Sequence, residues 1–422
     1  MIVRLPFGRE GLALDLRGFR VHNLRPEGKR GVRSVADLIE KAVDRPLDGL
    51  PLVDQARGRR SAVVVVPDAT RSVDLPGILP PVLSRLARAG IPSSRQRILV
   101  ACGTHPPISE EELSALVGPL PDGVTILQHD ARDTEVLVAA GALGTGLPIR
   151  LHRWVMETDF LVTLSSVRHH YFAGFGGGPK MIFPGVAGYE EIQTNHSRVL
   201  EITEKRIRRH RACEPGILKA NPVAEEIAEA ADRRPPDMVL CLVPGVDGGF
   251  SEAFAGPWRS SWDAAVEQVR TTFEVPAAEF DMVVGSGGGR PSDETLIQAH
   301  KGLDAACRFV RPHGEVAFVA SLQGGLGSVE MEAFVEDPRP EVILNRLARG
   351  WIQYGHTTLR IIEKTSQFRI RLVSHASPSI VRRMGFEPEN SLEEMLKAWR
   401  TDREGATVGV LPGPAVYPRI VS

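Results

Sequence analysis

Ala62-Val63-Val64-Val65-Val66-Pro67-Asp68-Ala69-Thr70-Arg71 decides the fold. Five consecutive apolar residues, four of them β-branched, read as a strand buried on both faces, the mark of a parallel sheet covered by helices. The run stops at a cluster of turn-forming and ionisable residues, and a helix is expected from about Gly77 to Ala89. The same pattern recurs outward from it. Arg97–Ala101 is a second such strand and ends in Cys102-Gly103-Thr104-His105. Phe160–Leu164 is a third, and Met238–Leu242 a fourth. Phe280–Val284, Val316–Ala320, Ile370–Val373 and Thr407–Val410 continue the alternation with helices between them. Ser34–Val43 and Trp258–Thr272 read as helices, Ser109 and Glu112 as a capping box, and Asn221-Pro222 as a helix start. The fold class is therefore α/β: two parallel-sheet, Rossmann-like domains, with the active site expected in the cleft between them. The expected division is 1–273 and 280–400, with Glu274–Glu279 as the linker. A return of the C-terminal strand, 405–422, to the first domain is left open.

Composition limits the function. The 422 residues are 42% hydrophobic and 24% charged, with a net charge of -1, which suits an ordinary globular protein. That balance argues against nucleic acid as a partner, because such binders carry a basic excess. The opening MIVRLPFGREGLALDL alternates like strand sequence and does not resemble a signal peptide. No apolar run approaches the roughly 20 residues of a membrane span, so a cytoplasmic protein is expected. Cys102, Cys213, Cys241 and Cys307 lack CxxC spacing and read as small buried side chains.

Open parallel sheets bind ligands beyond the carboxyl ends of their strands. Three reactive clusters fall at such ends: Asp68–Arg71, Gly103–His105, and His169-His170-Tyr171-Phe172-Ala173-Gly174-Phe175-Gly176-Gly177-Gly178-Pro179-Lys180. Pro184-Gly185 and Asn195-His196 follow the third cluster. Glycines there allow close backbone approach and positive φ. Lysine occurs only eight times among 51 basic residues, so Lys180 within a glycine loop stands out as a candidate nucleophile. His105 could be a general base, or a loop histidine bonded to backbone. Of His169 and His170 at most one faces a site, since neighbours on an extended chain point oppositely. Arg71 and Lys301 could clamp a small carboxylate or form surface ion pairs. Asp68 could orient a base or cap its turn, and His196 could bind a metal. His129, His152, His210, His313 and His375 read as structural, with His300 and His356 borderline. Gly285–Gly289 opens a further turn, where Ser292 or Asp293 is expected to cap a helix carrying Gln298 and Lys301. No GxxxxGK[ST] occurs, and the GxGxxG match is poor, which argues against a nucleoside triphosphatase or a nicotinamide dehydrogenase.

Taken in order, these residues resemble the lactate racemase family. Asp68-Ala69-Thr70-Arg71 is similar to its Asp-x-Thr-Arg motif and Gly103-Thr104-His105 to its Gly-Thr-His motif. His170, ten residues before Lys180 in a Gly-Gly-Gly-x-Lys loop, is similar to its second catalytic histidine. Asn195-His196 matches its nickel-ligand motif. Ser286-Gly287-Gly288, Pro291 and Asp293, then Gln298 and Lys301, resemble its second-domain signature. The resemblance implies a racemase or epimerase that inverts C2 of a 2-hydroxy acid by hydride transfer through a 2-keto acid. The implied cofactor is a nickel-pincer nucleotide, pyridinium-3-thioamide-5-thiocarboxylic acid mononucleotide with nickel, covalently attached to Lys180. His105 and His170 are then the catalytic bases, and His196 the metal ligand. Arg71, Gln298 and Lys301 are the substrate ligands, and Asp68, Thr70, Gly176, Gly177 and Gly178 lie against the cofactor. Cofactor-synthesis and nickel-insertion proteins are the implied partners, beside the small-molecule acid, with neither nucleic acid nor membrane. Three departures from the family pattern stand at Pro106, Ile297 and Thr357. A small aliphatic acid is favoured, because no further basic residue stands out to hold a second carboxylate. Two other readings use the same residues: a zinc- or iron-dependent hydrolase or lyase built on the three histidines, and a non-catalytic 2-hydroxy-acid-binding protein.

Overall fold

The computed structural model describes residues 2–71, 73–403, 405–413 and 416–419. The chain divides into two compact units, Gly28–Val199 with Arg209–Thr272, and Met1–Glu27 with Leu200–Arg208 and Phe273–Ser422.

In the first unit Ala62–Pro67 is a wholly buried strand near the middle of a six-stranded sheet. Its parallel neighbours are Gln96–Ala101 on one side and Phe160–Ser166 on the other. Thr125–Gln128 extends the first side in parallel. Met238–Pro244 extends the second in parallel, and Phe250–Gly256 closes that edge antiparallel. Val64, Val66, Ile98, Val100, Val162, Leu164, Leu240 and Leu242 form one core with the helix Leu75–Arg88, through Leu75, Ile78, Leu79, Val82, Leu83 and Leu86. From Ala62–Pro67 the chain steps outward twice and then returns to lay Phe160–Ser166 on the opposite side. That reversal is where such sheets bind ligands. Adjacent strands lie about 5 Å apart, so the residues following Pro67, Ala101 and Ser166 emerge side by side.

Local signals held where they were strongest. Ser34 caps Val35–Asp44, Asn221 caps Pro222–Arg233, and the Ser109–Glu112 capping box is present with both of its hydrogen bonds. All four cysteines are buried. Burial pushes the thiols of Cys102, Cys241 and Cys307 up to about 12.

The second unit has its own six-stranded parallel sheet, in the order Glu387–Glu389, Arg369–Val373, Val310–Val319, Phe280–Ser286, Thr407–Leu411, Arg20–Asn23. This corrects the division expected from sequence. The N-terminal hairpin Ile2–Phe7/Glu10–Asp15 buries Val3, Leu5 and Leu14 with Leu16 against Met282, Val284, Val408 and Val410. The first 27 residues therefore belong with the C-terminal half. Thr407–Leu411, flanked by Phe280–Ser286 and Arg20–Asn23, stays in this sheet and does not return to the first domain. Alternation announces a strand but not its partner, and here the partner lies nearly the whole chain away.

A second correction concerns Asp293. The helix Leu296–Cys307 starts after Thr295, so neither Ser292 nor Asp293 caps it. Buried Asp293 instead accepts the backbone N–H groups of Gly8 (2.8 Å) and Ser321 (3.1 Å) on one carboxylate oxygen. It ties the hairpin turn to the sheet. No helix among the described residues is long and apolar enough to cross a membrane.

Candidate active site

The first unit brings together Asp68, Arg71, His105, His170, Lys180 and His196. At the end of the central strand, Asp68 Oδ1 accepts from Thr70 Oγ1 (2.6 Å) and from the Thr70 backbone N–H (3.2 Å), an Asx turn that fixes the carboxylate. Its other oxygen, Oδ2, lies 2.5 Å from His105 Nδ1. Burial works against the charge on Asp68. The hydrogen bond and charge of His105, together with Arg71 and Thr70, prevail and hold it below the ordinary carboxylate value. A carboxylate in that position requires the proton on Nδ1 and leaves the basic lone pair of His105 on Nε2. Asp68, expected with Thr70 against the cofactor, is thus hydrogen-bonded to both Thr70 and His105.

His170 lies on the hairpin Arg168–His170/Gly174–Gly176, opposite Gly174. Its Nδ1 receives the backbone N–H of Ala173 (3.1 Å) and, more weakly, of Phe172 (3.5 Å). A backbone N–H can only donate, so the neutral ring carries its proton on Nε2. The two histidines are therefore in opposite tautomers, one presenting a lone pair and the other an N–H. His169 points the other way, its ring 4.7 Å from that of Phe175, in keeping with strand alternation.

Lys180 sits in the single 3₁₀ turn Gly178–Met181. Gly185 N–H donates to the Lys180 carbonyl, and Gly103 N–H donates to the Gly185 carbonyl, each at 3.0 Å. The lysine loop and the His105 loop are thereby fastened backbone to backbone. Lys180 keeps some exposure, yet burial around its amine, aided by the charge of Arg71, pushes it down to about 7. A sizeable neutral fraction then exists near neutrality, as a nucleophilic amine needs. His196, on the helix Tyr189–Ser197, donates from Nδ1 to the Ile192 carbonyl at 2.7 Å. This places its lone pair on Nε2. Burial, reinforced by the charges of Lys180 and His105 and opposed by the Ile192 bond, pushes it down to about 3, so the ring is neutral and able to ligate. Its neighbour Asn195 is structural, donating to Glu226 Oε2 (3.0 Å) and the Val223 carbonyl (3.2 Å).

Sequence reading missed the hub. Phe172, 3% exposed, sets its ring 4.6 Å from His170 and 5.2 Å from His196, with Lys180 Nζ 5.9 Å from its centroid. An aromatic two residues beyond a strand histidine was the available signal. Arg168 was also missed. It lies exposed, and the surrounding protein and Arg71 draw its ionisation below the usual arginine value.

The glycines divide. A Cβ on Gly178 would lie 2.2 Å from Trp262 Cδ1, and one on Gly177 2.7 Å from the Ser166 carbonyl oxygen, both at positive φ. Close internal packing accounts for both. At Gly176 the nearest atom would be 3.8 Å away, so this position alone of the three has room for a ligand. Gly178→Ala is expected to cost about 2–4 kcal/mol, from overpacking and left-handed backbone together. Gly176→Ala should stay within about 1 kcal/mol of wild type. Urea unfolding of both variants tests the difference.

In the second unit Gln298 and Lys301 share the helix Leu296–Cys307, with Lys301 Nζ donating to Gln298 Oε1 at 2.7 Å. His300 on the same helix is buried, with Nδ1 2.5 Å from the Ile297 carbonyl, and reads as structural. His129 donates to the Ala187 carbonyl (2.8 Å), and His152 caps Arg153–Glu157. Among the described residues no three His, Cys, Asp or Glu side chains converge as a metal-binding group.

The chain matches known proteins in sequence and in fold. The lactate racemase N-terminal domain family matches residues 7–207, and the lactate racemase C-terminal domain family matches 275–416. A lactate racemase of Lactiplantibacillus plantarum is 28% identical over 397 residues, covering 90% of this chain and 89% of that protein. One of Thermoanaerobacterium thermosaccharolyticum is 28% identical over 356 residues, covering 82% and 81%. The structure of the lactate racemase apoprotein from the latter organism matches with a TM-score of 0.88 at 25% identity over the whole of both chains. A Thermotoga maritima protein matches in fold alone, with a TM-score of 0.63 at 15% identity over 92% of this chain and 98% of that one.

Proposed function

The chain belongs to the lactate racemase family, and from that premise we propose that it inverts C2 of a 2-hydroxy acid through a 2-keto acid. One observation carries the reading: His170, a neutral-leaning Lys180 and a neutral His196 are gathered around Phe172, in the same unit as the Asp68–His105 pair.

The residues suit the nickel-pincer nucleotide that the family implies. Lys180 offers an amine whose proton is lost near neutrality, and His196 offers an Nε2 lone pair on a ring anchored through Nδ1. Imidazole is a good nickel donor. When bound, the nucleotide supplies an acceptor for the substrate's C2 hydride. Arg71 would hold the C1 carboxylate, where a guanidinium gives bidentate geometry, with Gln298 and Lys301 as further substrate ligands on the strength of their chemistry. His105 Nε2 would take the hydroxyl proton of one enantiomer, its imidazolium stabilised by Asp68. His170 would deliver a proton to the carbonyl oxygen from its imidazolium form when C2 is reduced from the other face, and end as the neutral ring. One neutral and one protonated imidazole would give each half of an inversion the proton state it needs, and the reverse reaction exchanges their roles.

Lys180→Ala, in protein produced together with cofactor-synthesis proteins, is expected to show no covalent mass increment, against a nucleotide-sized increment in wild type, and no detectable racemisation. Intact-protein mass spectrometry decides the first point. The chemistry is tested with 2-deuterated substrate. Product that retains the deuterium supports hydride transfer and return, whereas wash-out into solvent would mean direct C2 deprotonation and defeat the proposal.

A further inference from the structure

We propose that Arg168 is a specificity-determining residue that binds a second carboxylate, so that the preferred substrate is a 2-hydroxy dicarboxylic acid. The inference rests on the C2-inversion reading above and narrows its substrate class.

Arg168 and His170 are two apart on one strand, and alternation sends them to the same face of the hairpin. The intervening residue confirms the alternation, because His169 lies instead against Phe175, whose ring centroid is 4.9 Å from the Arg270 guanidinium. Arg168 therefore stands about 7 Å along the strand from the acid–base histidine. That separation is within an arginine side chain's reach of a carboxylate two carbons beyond the C2 hydroxyl.

Its hydrogen-bonding capacity is barely used. Nε donates to Ser166 Oγ at 3.3 Å, and no carboxylate among the described residues forms an ion pair with it. Arginines elsewhere in this unit meet carboxylates directly, as Arg150 does with Glu191 and Arg198 with Glu226. Arg71 is likewise without an ion-paired carboxylate among the described residues, and its charge is felt at Arg168, at Lys180 and at Asp68. Two neighbouring guanidiniums repel unless anions lie between or beside them. A monocarboxylic acid satisfies one of them, through C1. The second calls for another anionic group, and the exposure of Arg168 favours one that arrives with each substrate over one that stays. The other source of an anion is the phosphate of the bound nucleotide, and the experiment separates the two.

Loaded holoprotein is assayed for racemisation of malate and of lactate, as wild type, Arg168→Met and Arg168→Lys, with nucleotide occupancy read by intact mass. Wild type should have the higher kcat/KM for malate. Arg168→Met should lower the malate-to-lactate ratio by about 10- to 100-fold, as expected for losing a charge-assisted hydrogen bond, and Arg168→Lys should restore part of it at unchanged occupancy. A wild type that prefers lactate, or an unchanged ratio in Arg168→Met, overturns the inference and leaves C2 inversion standing. Loss of nucleotide from Arg168→Met overturns it in favour of the cofactor phosphate. A fully loaded wild type that racemises neither acid overturns both this inference and the function on which it rests.

Discussion

His105→Ala is expected to lower racemisation by about 10²–10⁴-fold, the usual contribution of a positioned general base, while nickel and the Lys180 adduct remain in place. At roughly 1.4 kcal/mol per tenfold change, the loss is about 3–5 kcal/mol of transition-state stabilisation. The geometry makes a sharper comparison available. Asp68 accepts the Nδ1 proton of His105, and an asparagine there can turn its NH₂ toward the ring instead. Nδ1 would then accept, the proton would move to Nε2, and the ring would face substrate as an N–H with no lone pair to offer. Asp68→Asn should therefore approach His105→Ala in activity, within about tenfold, although the imidazole is still present. His170→Ala removes the complementary acid; kcat/KM should fall equally in the two directions, as the unchanged equilibrium constant requires, and an asymmetry should appear only in kcat at saturating substrate. Normal turnover in His105→Ala would remove the two-histidine proposal.

What the sequence made legible follows from which forces are local. Runs such as Ala62–Val66 are buried on both faces, so their composition alone announces a parallel strand, and the strand-end rule then points to Asp68, His105 and His170. Phe172 and Arg168 escaped because their importance depends on the register of a hairpin only three residues long on each side. No pattern in the chain states that register. Gly177 and Gly178 were read as room for a ligand, whereas Gly178 makes room for Trp262. A glycine reports that something is close, not what it is. The N-terminal hairpin was assigned to the wrong unit because its alternation is equally compatible with either sheet.

His196→Ala is expected to bring nickel to background by metal analysis, yet to leave the nucleotide on Lys180. The two attachments have separate supports. Lys180 is held by the Gly185 and Gly103 backbone bonds, and His196 by its own helix through Ile192. Losing the Ile192 hydrogen bond costs about 0.5–1.5 kcal/mol and the ring's edge contact with Phe172 about as much again, small beside a domain's usual stability of about 5–15 kcal/mol, so the variant should remain folded. Asn195→Ala provides the contrast. It strips hydrogen bonds from buried Glu226 and the Val223 carbonyl, which should cost about 1–3 kcal/mol, but it leaves the imidazole intact. The folded fraction should retain nickel. If the metal were held by general burial, without a specific bond to Nε2, the order would reverse: the less stable Asn195→Ala protein would lose nickel first, and well-folded His196→Ala would keep it. Nickel content measured beside thermal unfolding for the two variants distinguishes a ligand from a neighbour, because only a ligand can lose the metal without losing the fold.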